Sequence, residues 1–141
     1  MKVLFVCHYN VGRSQMAKAI FNQLTNSSDA DAAGTDVKEV GQNLEERKNT
    51  TTSHNFFVLD VMNEIGIDMS QATRNQLTKD MIDKYDYVIS MAKKEHSPDW
   101  LTNAPNLIYW DIKDPKGQNF EITTKARDEI KAKVLELIDK K

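Results

Sequence analysis

The sequence predicts an α/β domain, a parallel sheet with helices on both faces. Short apolar runs rich in β-branched and aromatic residues recur along it: Val3-Leu4-Phe5-Val6, Tyr85-Asp86-Tyr87-Val88-Ile89-Ser90-Met91 and Leu107-Ile108-Tyr109-Trp110. Segments between them place apolar residues at helical spacing. The two patterns alternate from one end of the chain to the other, the order that right-handed strand–helix–strand crossovers produce. With 141 residues, 40% of them hydrophobic and 28% charged, the chain has material for one core. A single domain over residues 1–141 is expected.

Each element has its own justification. Val3-Leu4-Phe5-Val6 is continuously apolar, the pattern of a strand covered on both faces. After Arg13 the period changes: Met16, Ala17, Ile20, Phe21 and Leu24 fall on one helical stripe, which Asn26-Ser27-Ser28 ends. Asp31 to Thr35 predicts a small strand running into a turn at Gly34. Residues 36–55 are polar with few anchors, and two readings stay open, a mobile loop or a marginal helix around Leu44. Phe57, Val58, Val61, Met62 and Ile65 form a helical face closed by Gly66. Thr78 is expected to cap a short helix through Ile82. The runs at 85–91 and 107–110 are the third and fourth strands. The last segment sets Ile130, Val134, Leu137 and Ile138 on one stripe, with Thr123 or Thr124 as N-cap.

Composition narrows the function. The net charge is −2 with both signs interspersed, so no basic stripe suggests nucleic acid or an anionic membrane. No apolar run approaches the roughly 18–20 residues that span a bilayer. The apolar part of Met1-Lys2-Val3-Leu4 is too short for a secretory signal. The one cysteine cannot form an intrachain disulfide, so a reducing, cytoplasmic location is expected. No histidines or carboxylates show metal-ligand spacing, and neither metal nor cofactor is expected.

The chemistry concentrates in Cys7-His8-Tyr9-Asn10-Val11-Gly12-Arg13-Ser14, between the first strand and the first helix. In open α/β sheets ligands bind beyond the carboxyl ends of the strands, where Cys7 stands. A short loop there can turn the backbone N–H groups of residues 8–14 inward, and the following helix adds its N-terminal dipole. Arg13 supplies a planar guanidinium that can hold two oxygens of a tetrahedral anion. A thiolate is the reactive form of cysteine, and helix N-termini and cations stabilise it. Ser14 can donate its hydroxyl proton to the sulfur. Cysteine at a strand end is also often an inert core residue; position between a buried strand and an amphipathic helix is what gives the pattern weight.

This stretch resembles the signature of the low-molecular-weight protein tyrosine phosphatases and of the arsenate reductases that share their fold. The similarity continues through "AAGT" at 32–35, "VMNEIGID" at 61–68, "YDYVISM" at 85–91, "WDIKDP" at 110–115 and "ARDEIKAKVLELI" at 126–138. It implies the phosphotyrosine protein phosphatase I-like fold: a four-stranded parallel sheet with the first strand beside the second and third. It also implies a catalytic acid directly before a proline on the loop after the fourth strand. Asp114-Pro115 matches, with Asp111 as the competing candidate. Attack by Cys7 on a phosphate ester expels an alkoxide or phenoxide that a nearby carboxylic acid can protonate, and the carboxylate can then activate the hydrolytic water. Asn10 matches a position that braces the loop.

The resemblance leaves three functions open. Hydrolysis of a phosphorylated protein or a small phosphomonoester leads, because it needs no unseen partner. Arsenate reduction is the alternative; with Cys7 alone, it requires an external thiol rather than an in-chain cysteine relay. A non-catalytic oxyanion-binding domain would need the loop but not Asp114. Several residues depart from the phosphatase pattern. Gln15 stands where phosphatases commonly have proline, Lys116 and Gly117 where they usually have aromatics, Tyr9 where the family usually has glycine, and Gly12 where a second cysteine is common. A tyrosine at position 9 is strained if the backbone there needs positive φ. His8 is expected to contribute its backbone N–H with its ring at the rim. His54 and His96 are expected in surface loops, Trp110 and the tyrosines 85, 87 and 109 in packing roles, and Trp100 away from the site.

Overall fold

Strand β1, Val3–Cys7, is buried along its whole length, and the rest of the chain is arranged around it. The computed structural model describes residues 1–50 and 56–140. On one side β1 pairs in parallel with β2, Ala30–Gly34, and on the other with β3, Tyr87–Ser90. Beyond β3 lies β4, Leu107–Tyr109, giving the order β2-β1-β3-β4. Among the described residues, five α-helices accompany the sheet: α1, Arg13–Thr25; α2, Leu44–Thr50; α3, Val58–Asn63; α4, Asp99–Thr102; and α5, Phe120–Asp139. Lys79–Lys84 and Lys94–His96 form 3-10 turns.

The continuous apolar run of β1 follows from burial on two sides. Val3 and Phe5 join the larger cluster, with Met16, Ile20 and Phe21 of α1, Val61 and Met62 of α3, and Ile130 and Val134 of α5. Leu4 and Val6 face the opposite way, into a smaller cluster with Ala33, Leu77, Ile82, Val88 and Leu101. Leu24, at the end of the α1 stripe, is exposed.

The structure decides what the sequence left open between 36 and 50. Asn43 Oδ1 accepts from the Glu46 backbone N–H, and Glu46 Oε1 accepts from that of Asn43. This reciprocal box starts α2, whose Leu44 is wholly buried. One expected cap is corrected. The N-cap of α5 is Asn119, whose Oδ1 accepts from the Ile122 N–H at 2.9 Å. Thr123 lies inside the helix, its hydroxyl donating back to the Asn119 carbonyl. Thr78 is the N-cap of the short helix that follows it, as expected; that helix, Lys79–Lys84, is of the 3-10 kind. Gly66, at φ +79°, turns the chain after α3 as expected. His54 lies outside the described residues.

The register places Cys7 opposite Gly34 at the carboxyl edge of the sheet. A Cβ at position 34 would come within 2.9 Å of the His8 carbonyl oxygen and 2.7 Å of Val37 Cγ2. The expected turn is therefore also a close approach, with β2 passing directly beneath the loop that follows Cys7. Gly34→Ala should lower stability by about 1–3 kcal/mol through overpacking, seen as a lower urea midpoint. An unchanged midpoint would show that the approach is not tight.

Candidate active site

The loop after Cys7 turns on a buried asparagine. Asn10 is wholly buried, and its φ of +57° lies in the left-handed region that asparagine tolerates better than most residues. Its Nδ2 donates to Ser14 Oγ at 2.7 Å. Its Oδ1 accepts from the Asn75 N–H at 2.8 Å and from Gln15 Nε2 at 3.0 Å. The positive φ therefore falls on Asn10, not on Tyr9, and the strain considered for Tyr9 does not arise.

Ser14 Oγ lies 2.9 Å from Cys7 Sγ. Because Asn10 donates into this oxygen, the hydroxyl proton is available to the sulfur, and a thiolate there could only accept it. Among the described residues, the backbone N–H groups of Tyr9, Asn10, Val11 and Gly12 donate to no protein acceptor. Asn10, Val11 and Gly12 are buried. Buried N–H groups are rarely left unpaired, so a run of them favours an anion.

Arg13 opens α1 and is largely buried. Its Nη1 donates to the carbonyls of Met91 at 2.5 Å and Ile112 at 2.9 Å. Its Nη2 lies 3.7 Å from Asp114 Oδ2. The guanidinium thus joins α1 to the segments that follow β3 and β4. Asp111 and Asp114 both line the cavity beside the loop, about 430 Å³ in volume. Of the two, Asp114 forms the pair with Arg13. Gly12 is not required by space: a Cβ there would meet Val58 Cγ2 and Pro115 Cγ at 3.7 and 3.8 Å, ordinary contacts.

His8 sits at the rim, as expected, with Nδ1 3.0 Å from Thr35 Oγ1. Burial first, then the neighbouring charge of His96, pushes its pKa below the usual histidine value. His96 is exposed but not remote; its ring lies 5.0 Å from that of His8 and it lines the cavity. Tyr109 likewise lines the cavity instead of serving only to pack. Trp110 packs on Phe5, ring centroids 5.7 Å apart, and Trp100 packs on the smaller cluster.

Two braces were missed in the sequence. Arg74, largely buried, donates from Nη2 and Nε to the Tyr9 carbonyl at 3.0 and 3.3 Å and from Nη1 to Gln42 Oε1 at 3.0 Å. Burial and the charge of Arg47 push its pKa down, while Cys7 and Glu39 act in the other direction. Gln15 was noted as a departure but not as a brace. Its Nε2 donates to the Thr73 carbonyl at 2.8 Å as well as to Asn10. Neither contact has a spacing signature, because both reach far along the chain. No group of three His, Cys, Asp or Glu among the described residues could hold a metal ion. No helix among them is long and apolar enough to cross a membrane.

The chain matches the family model described as low molecular weight phosphotyrosine protein phosphatase over residues 2–141. It is 33% identical to the glutaredoxin arsenate reductase of Synechocystis sp. over 143 residues, covering 99% of this chain and 97% of the relative. A low molecular weight protein tyrosine phosphatase from T. tengcongensis superposes with a TM-score of 0.78 at 25% identity, covering 100% of this chain and 99% of that one. An arsenate reductase solved in its phosphate binding state gives 0.77 at 29% identity, covering 99% and 98%.

Asn10→Ala should destabilise the fold by about 2–3 kcal/mol, since it orphans buried donors and puts alanine at positive φ. Chemical denaturation measures this, and a loss under about 0.5 kcal/mol would contradict the bracing role. The lowered pKa of His8 means that the folded chain binds fewer protons there than the unfolded one. Its contribution is present above about pH 6.5 and is lost as pH falls. His8→Gln should therefore flatten the decline in stability between about pH 7 and 5; an unaltered slope would assign that decline to other groups.

Proposed function

The chain belongs to the low molecular weight phosphotyrosine protein phosphatase family, and on that premise we propose that it hydrolyses phosphomonoesters through a phosphocysteine on Cys7. The observation that carries the reading is the Arg13–Asp114 pair at 3.7 Å. It sets a carboxyl group from a distant part of the chain beside the guanidinium at the end of the proposed anion-binding loop. A protein that only bound an oxyanion would have no use for a proton donor at that point.

The residues divide the work as follows. The N–H groups of His8, Tyr9, Asn10, Val11, Gly12, Arg13 and Ser14, with the Arg13 guanidinium, receive the phosphate oxygens. Cys7 thiolate attacks phosphorus and the ester P–O bond breaks. Asp114, protonated, gives its proton to the leaving oxygen, and the alcohol departs. Asp114, now a carboxylate, takes a proton from water as that water attacks the phosphocysteine. The P–S bond breaks, inorganic phosphate leaves, and the Cys7 thiolate is restored with Ser14 donating to it. Asp114 ends protonated, so the cycle closes. The reaction draws on no redox partner.

A second reading has specific support in the relative named an arsenate reductase, 33% identical along almost the whole chain. The same cradle would hold arsenate, and Cys7 would displace one oxygen as water. A low-molecular-weight thiol would then attack the Cys7 sulfur, leaving a mixed disulfide and releasing arsenite with the electron pair of the broken S–As bond. A second thiol would free Cys7. The Lys116-Gly117 pair after Asp114-Pro115 suits this reading, since no aromatic stands there to flank a phosphotyrosine ring.

Turnover of p-nitrophenyl phosphate separates the possibilities. Cys7→Ser should abolish it, and Asp114→Ala should lower kcat by about 10²–10³-fold on esters with poor leaving groups. Equal, background-level turnover by the wild type and both variants would overturn the hydrolase reading. Arsenite formation from arsenate and a thiol, faster than ester hydrolysis, would move the conclusion to the reductase.

A further inference from the structure

Two departures from the family pattern meet in space. Tyr9 stands where the family usually has glycine, and Lys116 where its phosphatases usually carry an aromatic. The Lys116 ammonium lies over the Tyr9 ring, 3.9 Å from its centroid. That is within the range of a cation–π contact, which here joins the Cys7 loop to the Asp114 loop.

Both partners are fixed from behind. The ring of His8 packs edge-on against that of Tyr9 at 4.1 Å, His8 is bound to Thr35, and Arg74 grips the Tyr9 carbonyl. On the other side, the Lys116 backbone N–H donates to Asp114 Oδ1 at 3.0 Å. The Gln118 N–H closes the turn onto the Pro115 carbonyl at 3.0 Å, and Gly117 adopts φ +71°. Lys116 therefore orients the Asp114 carboxylate with its main chain and reaches the Cys7 loop with its side chain.

The tether on the Asp114 side chain itself is loose. Arg13 and Asp114 are 3.7 Å apart, beyond hydrogen-bond distance, and the Asp114 side chain is 45% exposed. Ahead of Asp114 the segment is anchored where Arg13 Nη1 donates to the Ile112 carbonyl at 2.9 Å; a loop anchored on one side of the carboxylate can pivot there, and a second anchor beyond it fixes the orientation. We propose that the Lys116–Tyr9 contact is a latch that holds the Asp114 carboxyl over Cys7, with Tyr9 and Lys116 as positioning residues for proton transfer to the leaving group. The proposal rests on the hydrolase reading.

A latch of this kind has a distinctive signature. Lys116 touches neither Cys7 nor the Arg13 guanidinium, so attack on phosphorus is unaffected by its loss. Only the proton transfer suffers. p-Nitrophenolate leaves readily without a proton, whereas phenolate needs one.

The experiment measures kcat on phenyl phosphate and on p-nitrophenyl phosphate for each variant. Lys116→Met should lower the phenyl phosphate rate by about 5–10-fold while p-nitrophenyl phosphate stays within about two-fold. Tyr9→Leu should shift the ratio in the same direction, and the double variant no further than either alone. Tyr9→Phe and Lys116→Arg, which keep the ring and the charge, should retain the wild-type ratio. NMR provides a readout independent of activity. The Lys116 side-chain methylene protons should be shifted upfield by the Tyr9 ring, and the shift should vanish in Tyr9→Leu but persist in Tyr9→Phe. Equal losses on both substrates, or an unchanged ratio, would overturn the latch, as would the absence of a ring-current shift. A wild-type protein that hydrolyses neither ester would overturn the hydrolase reading instead, and with it the proton-transfer role, while the ring-current shift would still decide whether the contact exists.

Discussion

The buried side chain of Asn10 is the constraint from which the site is built. One residue accepts the left-handed backbone that turns the loop and uses its amide to tie the start of α1 and the segment at Asn75 to that turn. Through Nδ2 it sets the hydroxyl of Ser14 against the Cys7 sulfur. Through Oδ1 it catches the Asn75 N–H, and the Asn75 carbonyl in turn receives the N–H of Gly34 at the end of β2. The sulfur's nearest polar neighbour and the neighbouring strand are thus held by one amide group. Asparagine alone combines short reach, one donor group and one acceptor oxygen, and tolerance of positive φ.

The sheet supplies the second constraint. β1 is covered on both faces, so its register cannot slip without moving apolar side chains out of both clusters. That fixes Cys7 at the carboxyl edge, where parallel strands deliver the ends of β2, β3 and β4 together. Arg13 uses this convergence: its guanidinium reaches carbonyls beyond β3 and β4 and the carboxylate of Asp114. Asp114, Arg13 and Cys7 come from distant parts of the chain, yet none needs a long or specialised loop to reach the others.

Local features of the sequence were legible for physical reasons. β1 and α1 announce themselves through period, and Cys7, Asn10, Arg13 and Ser14 lie within a single loop. The family resemblance added the sheet order and drew attention to Asp114. What stayed hidden depends on contacts between distant parts of the chain. Arg74 lies in a polar stretch whose sequence gives no hint that its guanidinium will grip Tyr9. His96 and Tyr109 look like surface and strand residues until the strand ends converge. The start of α5 was misplaced because threonine and asparagine both cap helices, and only geometry shows that Thr123 bonds backward from inside. The box at Asn43 and Glu46 was within reach of pattern reading, but its low apolar content masked it. Tyr9 carries no backbone strain, because the loop's positive φ falls one position further on, at Asn10.

Arg13 also bears on how this protein can be switched off without being damaged. Its guanidinium is a rivet, joining the start of α1 to the chain beyond β3 and beyond β4. Removing it leaves two main-chain carbonyls without their charged donor and loosens the edge of the sheet itself. A silent variant made there would report lost activity and lost architecture together. A cysteine-to-serine exchange at position 7 keeps the shape of the side chain and every one of those ties. It is the substitution that tests the proposed nucleophile while leaving the edge of the sheet assembled.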